Sequence, residues 1–239
     1  MHFKSDVGSS PPPFKCVVKR TPALGRLGRE MKKGVIILVF VFGVLEMLFA
    51  KNPGNWKTYE SMKKDDYSVN VKFWKKYKGI TKELAEEIPT EKLYETVSDY
   101  GLWFAGSFWD EELDQKLSTL PEIVRYSYLI YQYEAEINNG GFDQFFFNSI
   151  GYEAFEIQKA LDFFGLKKNK EILDKAIELL KTKIDLKDYK KLSATRELPT
   201  EDFEDELNKL DDLFYAYPEN IKETINSFLD KNRDKIITN

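Results

Sequence analysis

The sequence predicts an all-α fold, a single compact multi-helix domain of about seven or eight helices over residues 51–239. Three observations carry this expectation. Apolar residues recur at three- and four-residue spacing from Ile88 to Leu229. No segment shows the sustained alternation of a half-buried strand, and Pro and Gly recur at short intervals as helix starts and stops. With 42% hydrophobic and 15% aromatic residues, the chain has ample material for a buried core.

Lys51 to Lys78 is basic and aromatic, with Trp56, Tyr59, Phe73, Trp74 and Tyr77, and reads as one irregular helix. Pro89, Thr90 and Glu91 start the next, which runs through Leu93, Val97, Tyr100, Leu102 and Phe104 to Gly106. Pro121 opens a central helix, Ile123 to Ile137, apolar enough to be buried on every side. It closes at Asn138, Asn139, Gly140 and Gly141, where glycine accepts the left-handed conformation that ends a helix. Phe142, Phe145, Phe146 and Ser149 then repeat helical spacing, and Phe147 is read with them as core. Further stripes follow: Ile157, Ala160, Leu161 and Phe164; Ile172, Leu173, Ala176, Ile177 and Leu180; Phe203, Leu207, Leu210 and Phe214; Ile221, Ile225, Phe228 and Leu229. Lys181 to Thr195 is lysine-rich and reads as a loop or weak helix.

The first fifty residues have another character. Residues 1–30, with Pro11, Pro12 and Pro13, read as a disordered or spurious extension. Met31, Lys32 and Lys33 then precede an apolar run from Gly34 to Leu45, so residues 31–50 match a signal peptide starting at Met31 and cleaved after Ala50, or an uncleaved membrane anchor. A true signal sends the protein to the periplasm or medium; otherwise it stays in the cytoplasm. The only cysteine, Cys16, and the only histidine, His2, lie in this leader. A working protein without it has no disulfide, no Cys or His zinc site, no cysteine nucleophile and no Ser-His-Asp triad.

From Lys51 onward 28 basic residues face 37 acidic ones, a net charge of −9 against −4 for the whole chain. The acidity is regional: 91–165 carries −10 and 196–239 carries −6, whereas 51–90 and 166–195 are positive. This sign disfavours direct binding of DNA or RNA and favours a cationic partner.

The most distinctive stretch runs Glu134-Ala-Glu136-Ile-Asn138-Asn139-Gly140-Gly141-Phe142-Asp143-Gln144-Phe145-Phe146-Phe147-Asn148. With Ala160-Leu-Asp-Phe-Phe-Gly165 and Leu210-Asp-Asp-Leu-Phe-Tyr-Ala-Tyr217, it resembles the helical DNA-mimic protein family over about residues 93–231. The resemblance implies an all-helical, non-catalytic interaction protein. Its surface carboxylates would imitate the phosphates of duplex DNA and occupy a basic protein surface, that of a DNA-binding protein if the chain is cytoplasmic.

Two rows offer such carboxylates: Glu201, Asp202, Asp205, Glu206 and Asp212, opposite the Phe203 stripe, and the tighter Asp110, Glu111, Glu112 and Asp114. Acids three and four apart on a helix have Cβ atoms about 5–6 Å apart, against one charge per about 1.7 Å of duplex axis. A solvated helix face would show the same letters. At the glycine turn, Asn138, Asn139, Gly140 and Gly141 read as a tight corner whose amides satisfy loose backbone ends, or as a turn that holds a polar ligand. Glu134, Glu136 and Asp143 flank it. They are the candidates for an alternative function, an exported carboxylate- or metal-dependent envelope enzyme or a small-ligand module. No metal-binding or phosphate-binding motif accompanies them, so no metal or cofactor is assigned.

Overall fold

The computed structural model describes residues 54–62, 67–106 and 110–238, with backbone alone for 67–70, 110 and 111. The extension and the signal or anchor segment lie outside the described residues, as do Cys16 and His2. The described residues are all helical in their regular structure, as predicted. The helices are α1 (Trp56–Met62), α2 (Tyr67–Tyr77), α3 (Lys82–Glu87), α4 (Leu93–Ala105), α5 (Asp110–Leu117) and α6 (Glu122–Phe147). After these come α7 (Ala154–Phe163), α8 (Lys167–Lys181), α9 (Tyr189–Ala194), α10 (Glu204–Tyr215) and α11 (Ile221–Asp230).

Among the described residues eleven α-helices thus stand where seven or eight were expected. The surplus is short: α3 and α9 have six residues each and α1 has seven, fewer than two turns, too few to establish an apolar period. The expected single helix from Lys51 to Lys78 is two, α1 and α2. The lysine-rich segment hides α9, pinned by the fully buried Tyr189, whose hydroxyl donates to the Gly151 carbonyl at 2.7 Å.

Helix α6 is the axis, packed against α4, α7 and α10. It crosses α4 closely: a Cβ at Gly101 would sit 2.6 Å from Tyr128 Cβ, and Ser98 Oγ donates to the Ser127 carbonyl at 3.2 Å. Asn226 of α11 closes the start of α4, its Oδ1 accepting from the Tyr94 N–H at 2.8 Å and its Nδ2 donating to the Glu91 carbonyl at 3.2 Å. Arg233 ties the C-terminal end to the chain before α4 by donating to the Ala85 and Ile88 carbonyls at 2.6 and 2.8 Å.

Two expectations about α6 are corrected. It is not buried on every side: Tyr131 is 39% exposed, and Glu134, Ala135 and Asn138 continue the same i, i+3, i+4, i+7 strip toward solvent. Phe142, Phe145 and Phe146 are fully buried, but Phe147 is 52% exposed and carries the Arg196 guanidinium 5.0 Å from its ring centroid. Its position two residues from Phe145 places it on the opposite side of the helix.

Candidate functional site

The glycine pair breaks α6 into two arms, residues 122–139 and 142–147. Gly140 is extended in φ (−168°), while Gly141 takes φ 71° and ψ −169°, a region essentially reserved for glycine. The turn is therefore the corner that the sequence predicts. Its loose backbone ends are not satisfied by Asn138 and Asn139 as expected, but by α10. Asp211 Oδ1 accepts from the Phe142 N–H at 2.8 Å, and the Tyr215 hydroxyl donates to the Ile137 carbonyl at 2.6 Å. Asp211 and Tyr215 are four residues apart, so one face of α10 seals both sides of the break. A Cβ at Gly141 would overlap the Asp211 carboxylate.

Around this corner the structure separates the three flanking carboxylates. Glu134 Oε2 accepts from the Tyr94 hydroxyl at 2.6 Å. Glu136 Oε2 accepts from Gln144 Nε2 at 2.8 Å and Asn148 Nδ2 at 2.7 Å, bridging the two arms. Asp143 Oδ1 accepts from Thr200 Oγ1 at 2.5 Å. Each faces a different neighbourhood, so they make neither an acid/base pair nor a common ligand set. Among the described residues no group of three or more potential metal-ligating side chains is gathered.

Asp143 instead joins the acidic row. A cleft of about 670 Å³ is lined by Gly140, Asp143, Thr200, Glu201, Glu204 and Asp211, with Leu207 and Asn208, and none of its lining residues is basic. Burial raises the Asp211 pKa, the Phe142 N–H opposes that shift, and the Asp212 and Asp143 carboxylates add to it. Glu204, Asn208 and Asp211 reach the cleft because they recur at i, i+4, i+7 on the flank of α10, whose apolar stripe buries Leu207, Leu210 and Phe214, and Glu201 joins them from the 3-10 turn Thr200–Phe203 just before that helix.

Glu201 at the cleft and Asp202, Asp205, Glu206 and Asp212 beyond it are all exposed, as their spacing implied. Asp202 pairs with Lys183 at 3.1 Å. The second row is less available: Asp114 pairs with Lys190 at 3.0 Å and Glu112 is exposed, while the side chains of Asp110 and Glu111 lie outside the described residues.

Sequence reasoning missed Glu204, Asp211 and Thr200 in the cleft. Asp211 belongs to the quoted Leu210 to Tyr217 segment, and its place beside Leu210, four residues before Tyr215, put it on the flank of the stripe. Only the fold reveals that this segment seals the glycine corner, which brings two of the distinctive sequence segments into contact. In the comparisons with known proteins, residues 118–232 match the model of the family described as DMP19-like protein. No curated protein and no solved structure matches the chain.

Proposed function

We propose, given that residues 118–232 belong to the DMP19-like family of DNA-mimic proteins, that this protein is a non-catalytic acidic protein occupying the DNA-binding face of a basic partner. The observation that supports this most is the cleft in which the family motif and the acidic row meet without a basic lining residue. In the proposed complex, Glu201, Glu204, Asp205 and Asp212 present the row and Asp143 and Asp211 its floor. Carboxylates held on a rigid helix in a concave, partly desolvated wall attract cations more strongly than the same groups dispersed over a convex surface.

The test is capture of basic DNA-binding proteins by the purified protein and by the triple variant Glu204→Lys, Asp205→Lys, Asp212→Lys. Capture by the parent protein, displacement by duplex DNA and loss in the triple variant, with helical circular dichroism retained, are the expected results. Capture that survives the triple reversal, or that duplex DNA does not displace, would sink the reading. Fractionation with intact mass then fixes where this happens. An uncleaved cytoplasmic product fits a DNA-binding partner, whereas a product beginning at Lys51 in the envelope or medium rules that partner out.

A further inference from the structure

We propose that Glu134 is the floor of a binding site for an arginine side chain of the basic partner, between Tyr131 and Tyr217. The idea takes only the basic nature of the partner from the proposed function, and the site differs from the acidic cleft.

Two shallow grooves, about 380 and 430 Å³, share Glu134 and Lys222. Tyr94, Tyr131 and Asn138 line one of them, and Tyr217, Glu219 and Asn220 line the other. Their size is that of a small ligand site. One oxygen of Glu134 accepts from the Tyr94 hydroxyl at 2.6 Å, and among the described residues no hydrogen bond reaches the other. The carboxylate is largely buried, and desolvation raises its pKa against the lowering effect of the Tyr94 hydrogen bond. A buried carboxylate with spare acceptor capacity gains from a proton or from a cation. Although Lys222 stands at the rim of both grooves, no basic group lies within ion-pair distance of Glu134 among the described residues.

The flanking rings identify which cation fits. Tyr131 packs edge-on against Tyr94, centroids 6.1 Å apart, and is 39% exposed. Its own pKa is raised by burial and then by Glu95, Asp99 and Glu134, so a negative field surrounds the ring. Tyr217 is 65% exposed and sits at φ 47°, a left-handed conformation unusual for a bulky residue, with its hydroxyl donating to Asn138 Oδ1 at 3.2 Å. Backbone strain that holds an aromatic ring out in solvent beside an under-used carboxylate suits a ligand more than a core. A planar guanidinium stacks on tyrosine faces while its N–H fork reaches a carboxylate; a lysine ammonium, compact and strongly hydrated, does this less well. Arginine entry would push the Lys222 ammonium away from the rim.

The experiment is titration of the full chain with N-acetyl-arginine amide, followed by the ring resonances of Tyr94, Tyr131 and Tyr217, with N-acetyl-lysine amide and sodium chloride at matched ionic strength. Expected are saturable shifts with the arginine probe and weaker response to the lysine probe. Glu134→Gln, which keeps an acceptor for Tyr94, should weaken binding by about tenfold, and Lys222→Ala should tighten it. Shifts that do not saturate, that persist unchanged in Glu134→Gln, or that weaken in Lys222→Ala would overturn the site. Loss of the titration with partner capture intact removes this site alone. Loss of partner capture with the titration intact removes the acidic-cleft reading alone.

Discussion

Glu153 is 2% exposed, its Oε1 has no hydrogen-bond partner among the described residues, and burial pushes its pKa up to about 7 from 4.5. Asp114 adds to the rise, Lys190 opposes it, and the weaker pulls of Glu156 and Arg125 divide the same way. A carboxyl whose pKa is higher in the folded than in the unfolded chain holds its proton longer when folded, so stability falls as pH climbs from 4.5 to about 7 and is level above. Glu153→Gln removes that slope. Denaturant midpoints at about pH 5 and pH 8 should converge in the variant, with a gain at the higher pH of up to about 3 kcal/mol. The glycine pair separates equally well. Gly141→Ala must force φ 71° on a residue with a Cβ and drive that Cβ into Asp211, a cost of about 3 kcal/mol or more in urea unfolding. At Gly140 the backbone is extended in φ, but an added Cβ would crowd the Gln144 side chain down to its Cβ at 2.9 Å, so Gln144 and its bond to Glu136 must shift and Gly140→Ala should cost about 1–2 kcal/mol, less than Gly141→Ala.

In α10, helix stability can be set against the binding role proposed for its acids. Glu204, Asp205 and Glu206 in its first turn suit the positive end of the helix dipole, so ordinary helix chemistry accounts for them. Asp211 and Asp212 in its last half oppose that dipole. Asp211 is repaid by the Phe142 N–H, whereas among the described residues no hydrogen bond or ion pair repays Asp212. Asp212→Lys should therefore stabilise the fold by a few tenths of a kcal/mol while lowering partner capture. The residue after the helix cap, where glycine is the usual choice, is Tyr217 at φ 47°. Tyr217→Gly should leave thermal stability equal or raise it by about 0.5–1 kcal/mol, yet abolish saturable binding of the arginine probe. A variant that loses stability and keeps the probe would reverse the role given to this ring.

For the whole molecule, charge is arranged by region, not averaged. The net −9 from Lys51 onward coexists with lysine-rich segments 51–90 and 166–195, and Lys183 and Lys190 hold Asp202 and Asp114. The unneutralised carboxylates on and beside α10 are left as the acidic face. Association through such a face is steered electrostatically and screened by salt, with a Debye length of about 10 Å at 0.1 M and 3 Å at 1 M. Partner association rates measured from about 0.05 to 0.5 M salt should fall by an order of magnitude or more, with dissociation changing less. Rates indifferent to salt would mean that apolar contacts such as those of the exposed Leu213 and Tyr215 dominate instead.

The sequence by itself determined the helical class, because helical periodicity, Pro starts and glycine stops are local and encode where each long helix lies. It determined the break in α6, since the Gly140-Gly141 pair ends any helix, and it located the exposed acids of α10 by their spacing against the Leu207 stripe. It failed where the deciding contact is distant in sequence. Tertiary structure alone chose Asp211 and Tyr215 to cap the corner across about seventy residues of chain, and it placed Glu134, Glu136 and Asp143 in three separate neighbourhoods. It also turned Phe147 outward and brought Asp143 into one cleft with Glu201 and Glu204. Periodicity reports which side of a helix is apolar. Which helix covers that side, and which polar groups meet at its edge, follows from packing all the helices at once.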